Sequence, residues 1–175
     1  MREGYPSVAA YGEVKTVTPA TDPDPVPALS VVIPAHNEGE NLLGLLAEVR
    51  AALHGSPAYE IIVVDDCSSD ASPALLRQAA GSFPELRAFR HQRQCGQSTA
   101  LVTGVRQARA PWIATLDGDG QNDPRDIPKL QAVVNDPGRS PALGMVAGHR
   151  AKRRDSWLKR MSSRLANGVR GRLLQ

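Results

Sequence analysis

The 175 residues are 41% apolar but only 4% aromatic, a length and composition suited to one domain with a real core. No run approaches the roughly 18 consecutive apolar residues that a bilayer span needs, and no basic segment leads into an apolar one; neither a membrane helix nor a signal peptide is expected. The net charge of +3 hides an asymmetry: after residue 148 there are nine Lys and Arg against one acid, Asp155, and before it twelve basic and seventeen acidic groups. That split suits an acidic front able to hold metal ions and a basic end able to meet phosphate or anionic lipid; a solvated basic helix is the plainer alternative. It does not suit a nucleic-acid binder, because no aromatics interleave the positive charge and no recognition motif accompanies it. Cys67 and Cys95 are too few for a disulfide framework and lack zinc-site spacing, which points to reduced thiols in the cytoplasm.

Residues 1–27 contain Pro6, Pro19, Pro23, Pro25 and Pro27 and no periodic apolar pattern, so they read as a flexible leader before a domain over residues 28–175. Short apolar runs then alternate with helical patterns. The runs are Leu29 to Ile33, Glu60 to Val64, Leu86 to Phe89, Trp112 to Leu116 and Leu143 to Ala147. The first two are β-branched and nearly continuous, as in strands covered on both faces of a parallel sheet. Between them, Asn41 to Leu53, Ser72 to Ala80, Gly96 to Ala108 and Pro124 to Val134 read as helices, with Leu42, Leu45, Leu46, Val49 and Leu53 at helical spacing. Strict alternation predicts an α/β fold, mainly a parallel sheet flanked by helices.

Ligands of such sheets bind at the carboxyl ends of the strands. Three polar segments follow strands: Pro34-Ala35-His36-Asn37-Glu38, Asp65-Asp66-Cys67-Ser68-Ser69-Asp70 and Asp117-Gly118-Asp119-Gly120-Gln121. Asp117 and Asp119 offer two hard carboxylates, with Gln121 adding a carbonyl oxygen, and such donors favour Mg²⁺ or Mn²⁺ held jointly with substrate phosphates. An Asp-Gly turn with no ligand is the alternative. The glycine between the two acids is expected to let the backbone turn sharply. Asp65 and Asp66 either accept hydrogen bonds from a nucleobase or belong to a turn in which Ser-Ser-Asp caps the next helix. Glu38 either complements a helix dipole or contacts the nucleotide. There is no GxGxxG fingerprint and no P-loop, so a cation rather than a cradle of backbone amides must neutralise bound phosphates. His54 and His91 read as surface or structural residues.

Taken in order, Leu29-Ser-Val-Val-Ile-Pro-Ala-His-Asn-Glu38, Glu60-Ile-Ile-Val-Val-Asp-Asp66, Asp117-Gly-Asp-Gly-Gln-Asn-Asp-Pro124 and Gly148-His-Arg150 resemble the family 2 glycosyltransferases. Within that family the resemblance is to the polyprenyl-phosphate sugar transferases typified by dolichol-phosphate mannose synthase. It implies a GT-A (Rossmann-like) fold, a GDP- or UDP-sugar donor and inverting transfer to a polyprenyl phosphate at the cytoplasmic membrane face. It also implies that Pro34, Ala35, His36 and Glu38 line the nucleotide pocket, and that Asp65, Asp66 and Asp117 contact base and ribose. Asp117, Asp119 and Gln121 would hold Mg²⁺ or Mn²⁺, and Arg150, Arg160 and Ser163 would bind diphosphate and acceptor phosphate. Asp119 and Arg150 are the catalytic residues this implies.

Four departures accompany the resemblance, one being that Gln94-Cys-Gly-Gln97 matches the family's Asn-X-Gly segment only loosely. His36 stands where the family commonly has tyrosine. Cys67 replaces the usual glycine of the Asp-Asp-Gly-Ser turn, a strained placement if that position needs φ > 0. The chain also stops at Gln175, before the family's usual C-terminal acceptor-side part, so a truncated chain is expected. Near that end Trp157, Leu158, Met161, Leu165 and Val169 recur on one helical face beside Lys159, Arg160, Arg164 and Arg170. Such a stripe fits a peripheral membrane surface, packing on the sheet, or a homodimer contact. A family 2 transferase of polysaccharide or glycan synthesis and a non-catalytic nucleotide-binding remnant are the competing functions.

Overall fold

The computed structural model describes the backbone of residues 8–10 and the whole of residues 26–148. The first compact unit, Met1–Arg139, holds a five-stranded sheet. Its elements in chain order are β1 (Val8–Ala10), β2 (Leu29–Ala35), α1 (Gly39–Ala52), β3 (Tyr59–Asp65), α2 (Ser72–Ser82), β4 (Leu86–His91), α3 (Gln97–Gln107), β5 (Trp112–Thr115) and α4 (Asp126–Val134). The order across the sheet is β1-β4-β3-β2-β5. Strands β2 to β5 run parallel, with Val31 beside Ile61 and Ala114.

β2 and β3 are buried on both faces, which is why they read as continuous apolar runs. On one face Val31, Ile33, Ile61 and Val63 pack against α1 (Leu42, Leu45, Leu46, Val49), α2 (Leu76, Ala79) and α4 (Ile127). On the other, Val32, Ile62 and Val64 meet Ala100 of α3. α3 lies so close that a Cβ on Gly104 would stand 2.4 Å from Val32 Cγ1. Small size, not backbone freedom, makes glycine necessary there.

At the edge where the strands begin, buried Glu60 gathers four donors. Oε1 accepts from Ser30 Oγ (2.7 Å) and the Arg109 N–H (2.8 Å); Oε2 accepts from Arg87 (2.8 Å) and Arg109 Nε (3.0 Å). Burial pushes the carboxyl up, but the bonds from Ser30, Arg109 and Arg87 outweigh it and hold Glu60 below its ordinary range.

Two elements differ from the sequence reading. Val8–Ala10, inside the stretch read as a leader, form a strand that pairs antiparallel with β4, Val8 opposite His91. Three residues are too few to show a period, and their partner lies some eighty positions away. In the second unit, Ser140–Gln175, the run Leu143 to Ala147 is irregular rather than a strand. A turn from Ser140 O to the Leu143 N–H (3.0 Å) opens it, Gly144 interrupts it, and Met145 is 79% exposed. An apolar run becomes a strand only when a ladder partner takes its backbone groups.

Candidate functional site

The chain grows from β2 outward through β3 to β4, then returns to add β5 on the other side of β2. The crevice at such a reversal, at the carboxyl ends of the strands, is where sheets of this kind bind ligands. All three polar segments lie along that edge. The Asp66 N–H donates to Ala35 O (2.8 Å), and Leu116 N–H to Val32 O (3.0 Å), which carries the pairing of β2 with β3 and β5 to the strand ends.

Asn37 stitches the first two segments together. Its N–H donates to Ser68 Oγ (2.9 Å), and its Oδ1 accepts from the Ser69 N–H (2.8 Å). To do so it takes a left-handed backbone, φ 56°, which asparagine tolerates well. His36 Nδ1 donates to Asp66 O (2.8 Å). Glu38 occupies the N-cap position of α1 and accepts from Asn41 Nδ2 (3.2 Å). Asp70 bridges two helix starts, accepting the Ser72 N–H at Oδ1 and the Gly39 N–H at Oδ2, both 2.9 Å.

The third segment packs directly on the first. A Cβ on Gly118 would meet Pro34 O at 2.9 Å and Glu38 Cγ at 3.4 Å. This corrects the reason for that glycine: Gly118 is needed for close approach, and the left-handed turn falls at Gly120, φ 68°. Half-buried Asp117 accepts from Gln97 Nε2 at Oδ1 (2.8 Å) and from Asn122 Nδ2 at Oδ2 (3.2 Å). Asp119 is exposed, as is Gln121, whose N–H donates to Asp119 Oδ1 (3.0 Å). Among the described residues neither Asp117 nor Asp119 has an ion-pair partner, whereas nearby Asp123 is paired with Arg125 (2.8 Å) and held at about 2 chiefly by it. Two hard carboxylates with uncancelled charge fit a divalent cation.

Asp65 and Asp66 are both buried, and the fold already engages their oxygens. Asp65 Oδ1 accepts the Ser68 N–H (2.9 Å), and Oδ2 lies 3.5 Å from Arg90 Nε. Asp66 accepts His91 Nδ1 (2.7 Å) and the N–H groups of Cys95 (2.8 Å) and Gly96 (2.7 Å). Burial pushes its carboxyl up, but His91 and the two backbone donors overcome this and hold it below its ordinary range. His91 is fully buried, and its Nε2 shares a 2.9 Å hydrogen bond with Thr103 Oγ1 of α3, so of the two readings, surface or structural, the structure gives the second. Ligand-type atoms of Asp66, His91 and Cys95 lie within 4.8 Å of one another, but the carboxylate and both ring nitrogens are already hydrogen-bonded. The cluster acts as an anchor between β3, β4 and the start of α3.

Cys67 has φ 60°, so the condition under which cysteine is strained at this position is met. Gln97 and Asn122 were missed by sequence reasoning. The available signal was Gly96, a helix-start glycine that places the next side chain at the strand ends. His149, Arg150, Arg160, Ser163 and the apolar stripe from Trp157 to Val169 lie outside the described residues.

The sequence profile of Glycosyl transferase family 2 matches residues 30–174. An undecaprenyl-phosphate 4-deoxy-4-formamido-L-arabinose transferase of Serratia proteamaculans is 39% identical over 148 residues, 82% of this chain and 43% of that protein. A dodecaprenyl-phosphate galacturonate synthase of Rhizobium johnstonii is 37% identical over 163 residues, 91% of this chain and 47% of that protein. The chain thus spans less than half the length of these relatives. Among solved structures, the mannosyltransferase PcManGT from Pyrobaculum calidifontis, in complex with GDP-Man and Mn²⁺, superposes with a TM-score of 0.52 at 26% identity, over 57% of this chain and 30% of that one. The fold is the GT-A arrangement. From the profile match and these relatives, the chain belongs to glycosyl transferase family 2.

Proposed function

We propose that this chain binds a nucleotide-diphosphate sugar, GDP- or UDP-linked, and serves its inverting transfer to a polyprenyl phosphate. The observation that carries the proposal is the convergence of Pro34 to Glu38, Asp65 to Asp70 and Asp117 to Gln121 on one strand edge, with Gly118 packed on Pro34 and Glu38 and with Asp117 and Asp119 without an ion-pair partner among the described residues. The names of the relatives support the lipid-phosphate acceptor, and the GDP-Man and Mn²⁺ in the mannosyltransferase support the donor and the cation.

In this reading Pro34, Ala35, His36 and Glu38 form one wall of the nucleotide pocket. Asp65 and Asp66 shape the base side through their backbone and their hold on neighbouring loops. Asp117, Asp119 and Gln121 would hold Mg²⁺ or Mn²⁺. A divalent ion there supplies Lewis-acid neutralisation of the departing diphosphate. Asp117 would also reach the ribose, and Arg150, Arg160 and Ser163 would receive diphosphate and acceptor phosphate. A phosphate oxygen of the acceptor forms the new bond to the anomeric carbon as the bond to the nucleoside diphosphate breaks on the opposite face. The acceptor is anionic at neutral pH, so the chain's contribution is positioning and charge compensation, not proton abstraction. The basic segment after residue 148 would rest on anionic lipid at the cytoplasmic face.

Calorimetry with GDP and UDP, each with and without Mn²⁺, tests donor binding, and radiolabel transfer to a polyprenyl phosphate tests the reaction. Cation-dependent binding that Asp119→Ala abolishes is the expected result. Cation-dependent binding that survives Asp119→Ala overturns the assignment of the motif, and binding without transfer reduces the proposal to a nucleotide-binding remnant.

A further inference from the structure

We infer that Gln97, with Asn122, is a positioning residue for Asp117, so that helix α3 presets the cation motif at the end of β5. The inference rests on the reading of Asp117 to Gln121 as a cation site. Its starting point is the pair of amides on one carboxylate: Gln97 Nε2 on Oδ1 at 2.8 Å and Asn122 Nδ2 on Oδ2 at 3.2 Å. A carboxylate only accepts, so both amides must turn their nitrogens toward it.

The choice of amides matters. A Lys or Arg at the same distance would orient Asp117 equally well but would cancel its charge and compete with a cation. Neutral N–H donors fix the direction of the carboxylate and leave its charge in place. The acids around it are handled differently: Asp123 is paired with Arg125, and Asp126 with Lys129. Partners one step behind a metal ligand commonly set its affinity by holding it in one orientation.

Gln97 is an exposed side chain and would be a poor clamp if its backbone were loose. The start of α3 is instead pinned from behind. Asp66 grips the Cys95 and Gly96 N–H groups at 2.8 and 2.7 Å, and Gly96 takes φ 88°, a backbone that favours glycine. Buried His91 holds Asp66 and reaches Thr103 further along α3. Thr99 Oγ1 also donates to Cys95 O (2.9 Å). A chain of short contacts thus runs from the core of the sheet to the first residue of α3 and on to Asp117. It explains why a buried Asp–His–Thr series with no exposed reacting atom lies beside the site.

The test is Mn²⁺ titration followed by the electron paramagnetic resonance of free Mn²⁺, with GDP or UDP present, on the full chain. Gln97→Ala should weaken Mn²⁺ binding on the order of tenfold, with an unchanged melting temperature in the absence of metal. Gln97→Arg should weaken it further, because the guanidinium neutralises Asp117. In an Asp117→Asn background Gln97→Ala should have no additional effect, since both act through the same carboxylate. Unchanged affinity in Gln97→Ala, where Asp117→Asn does lower it, overturns the inference. So does a Gln97→Ala effect that persists in the Asp117→Asn background. If Asp117→Asn and Asp119→Asn both leave Mn²⁺ binding intact, it is the cation reading itself that fails.

Discussion

At Cys67 the backbone and the side chain disagree. A left-handed conformation costs a non-glycine residue about 1–2 kcal/mol, while glycine costs roughly 0.5–1 kcal/mol in the greater freedom of the unfolded chain. The first effect is larger, so Cys67→Gly should stabilise the protein by about 0.5–1 kcal/mol. Urea unfolding would register this as a higher midpoint with an unchanged slope. A second residue-scale expectation concerns acid. Asp66 and Glu60 both have folded-state values held below their ordinary ones. A depressed carboxyl stabilises the fold above its unfolded value, about pH 4, and that contribution is lost as pH falls through the folded value. Stability should therefore be flat from neutrality to about pH 5 and fall below pH 4. Glu60→Gln should flatten the acid limb at a cost of about 2–3 kcal/mol at pH 7, below the usual figure for a broken buried pair because Arg109 is half exposed. Circular dichroism across a pH series in urea measures both. The placement of the edge carboxylates was readable from residue type: Asp117, Asp119 and Glu38 follow strand ends, where turns leave carboxylates in reach of solvent. Asp66 was not, because a carboxylate that ends a strand looks the same whether it faces a ligand or accepts the N–H groups of a loop thirty residues ahead.

Among the elements, the parallel strands and their helices were legible because burial on both faces demands unbroken β-branched runs, and Val31 to Ile33 and Ile61 to Val64 supply them. What failed was pairing. β1 exists through its bonds to β4, and Leu143 to Ala147 lacks such a partner among the described residues. The α3–β2 contact was equally invisible, since a glycine in a helical pattern usually signals weakness. Here Gly104 admits Val32, so Gly104→Ala should destabilise by about 1–3 kcal/mol through overpacking, despite alanine's better helix propensity. Thermal unfolding of Gly104→Ala, Val32→Ala and the pair provides the check: the smaller partner at 32 should recover part of the loss.

Over the whole chain, charge is distributed with a purpose that a net value of +3 conceals. The described part, to residue 148, includes the acidic strand edge, and the nine Lys and Arg lie beyond it. No helix among the described residues is long and apolar enough to cross a membrane. From the basic end, sedimentation with vesicles containing anionic lipid should show binding that neutral vesicles lack and that fades as ionic strength shortens the reach of each charge. Binding indifferent to both salt and lipid charge would remove the membrane surface from the proposed partners.

Among the described residues the two faces of the sheet are unequally covered, and this has a consequence for motion. Three helices share one face, whereas on the other α3 covers Val32, Ile62 and Val64 with one small cluster. Segments with few buried apolar neighbours open first. The start of α3 is pinned by Asp66, however, so opening of this layer has to break the Asp66 bonds to Cys95 and Gly96. The first residue of α3 is also the one that holds Asp117. A fluctuation that frees α3 would release the carboxylate while the remaining layers stay folded. Ligand capture and the quieting of that helix would then be one event, recorded as slowed amide hydrogen exchange along 97–107 when nucleotide and cation are present.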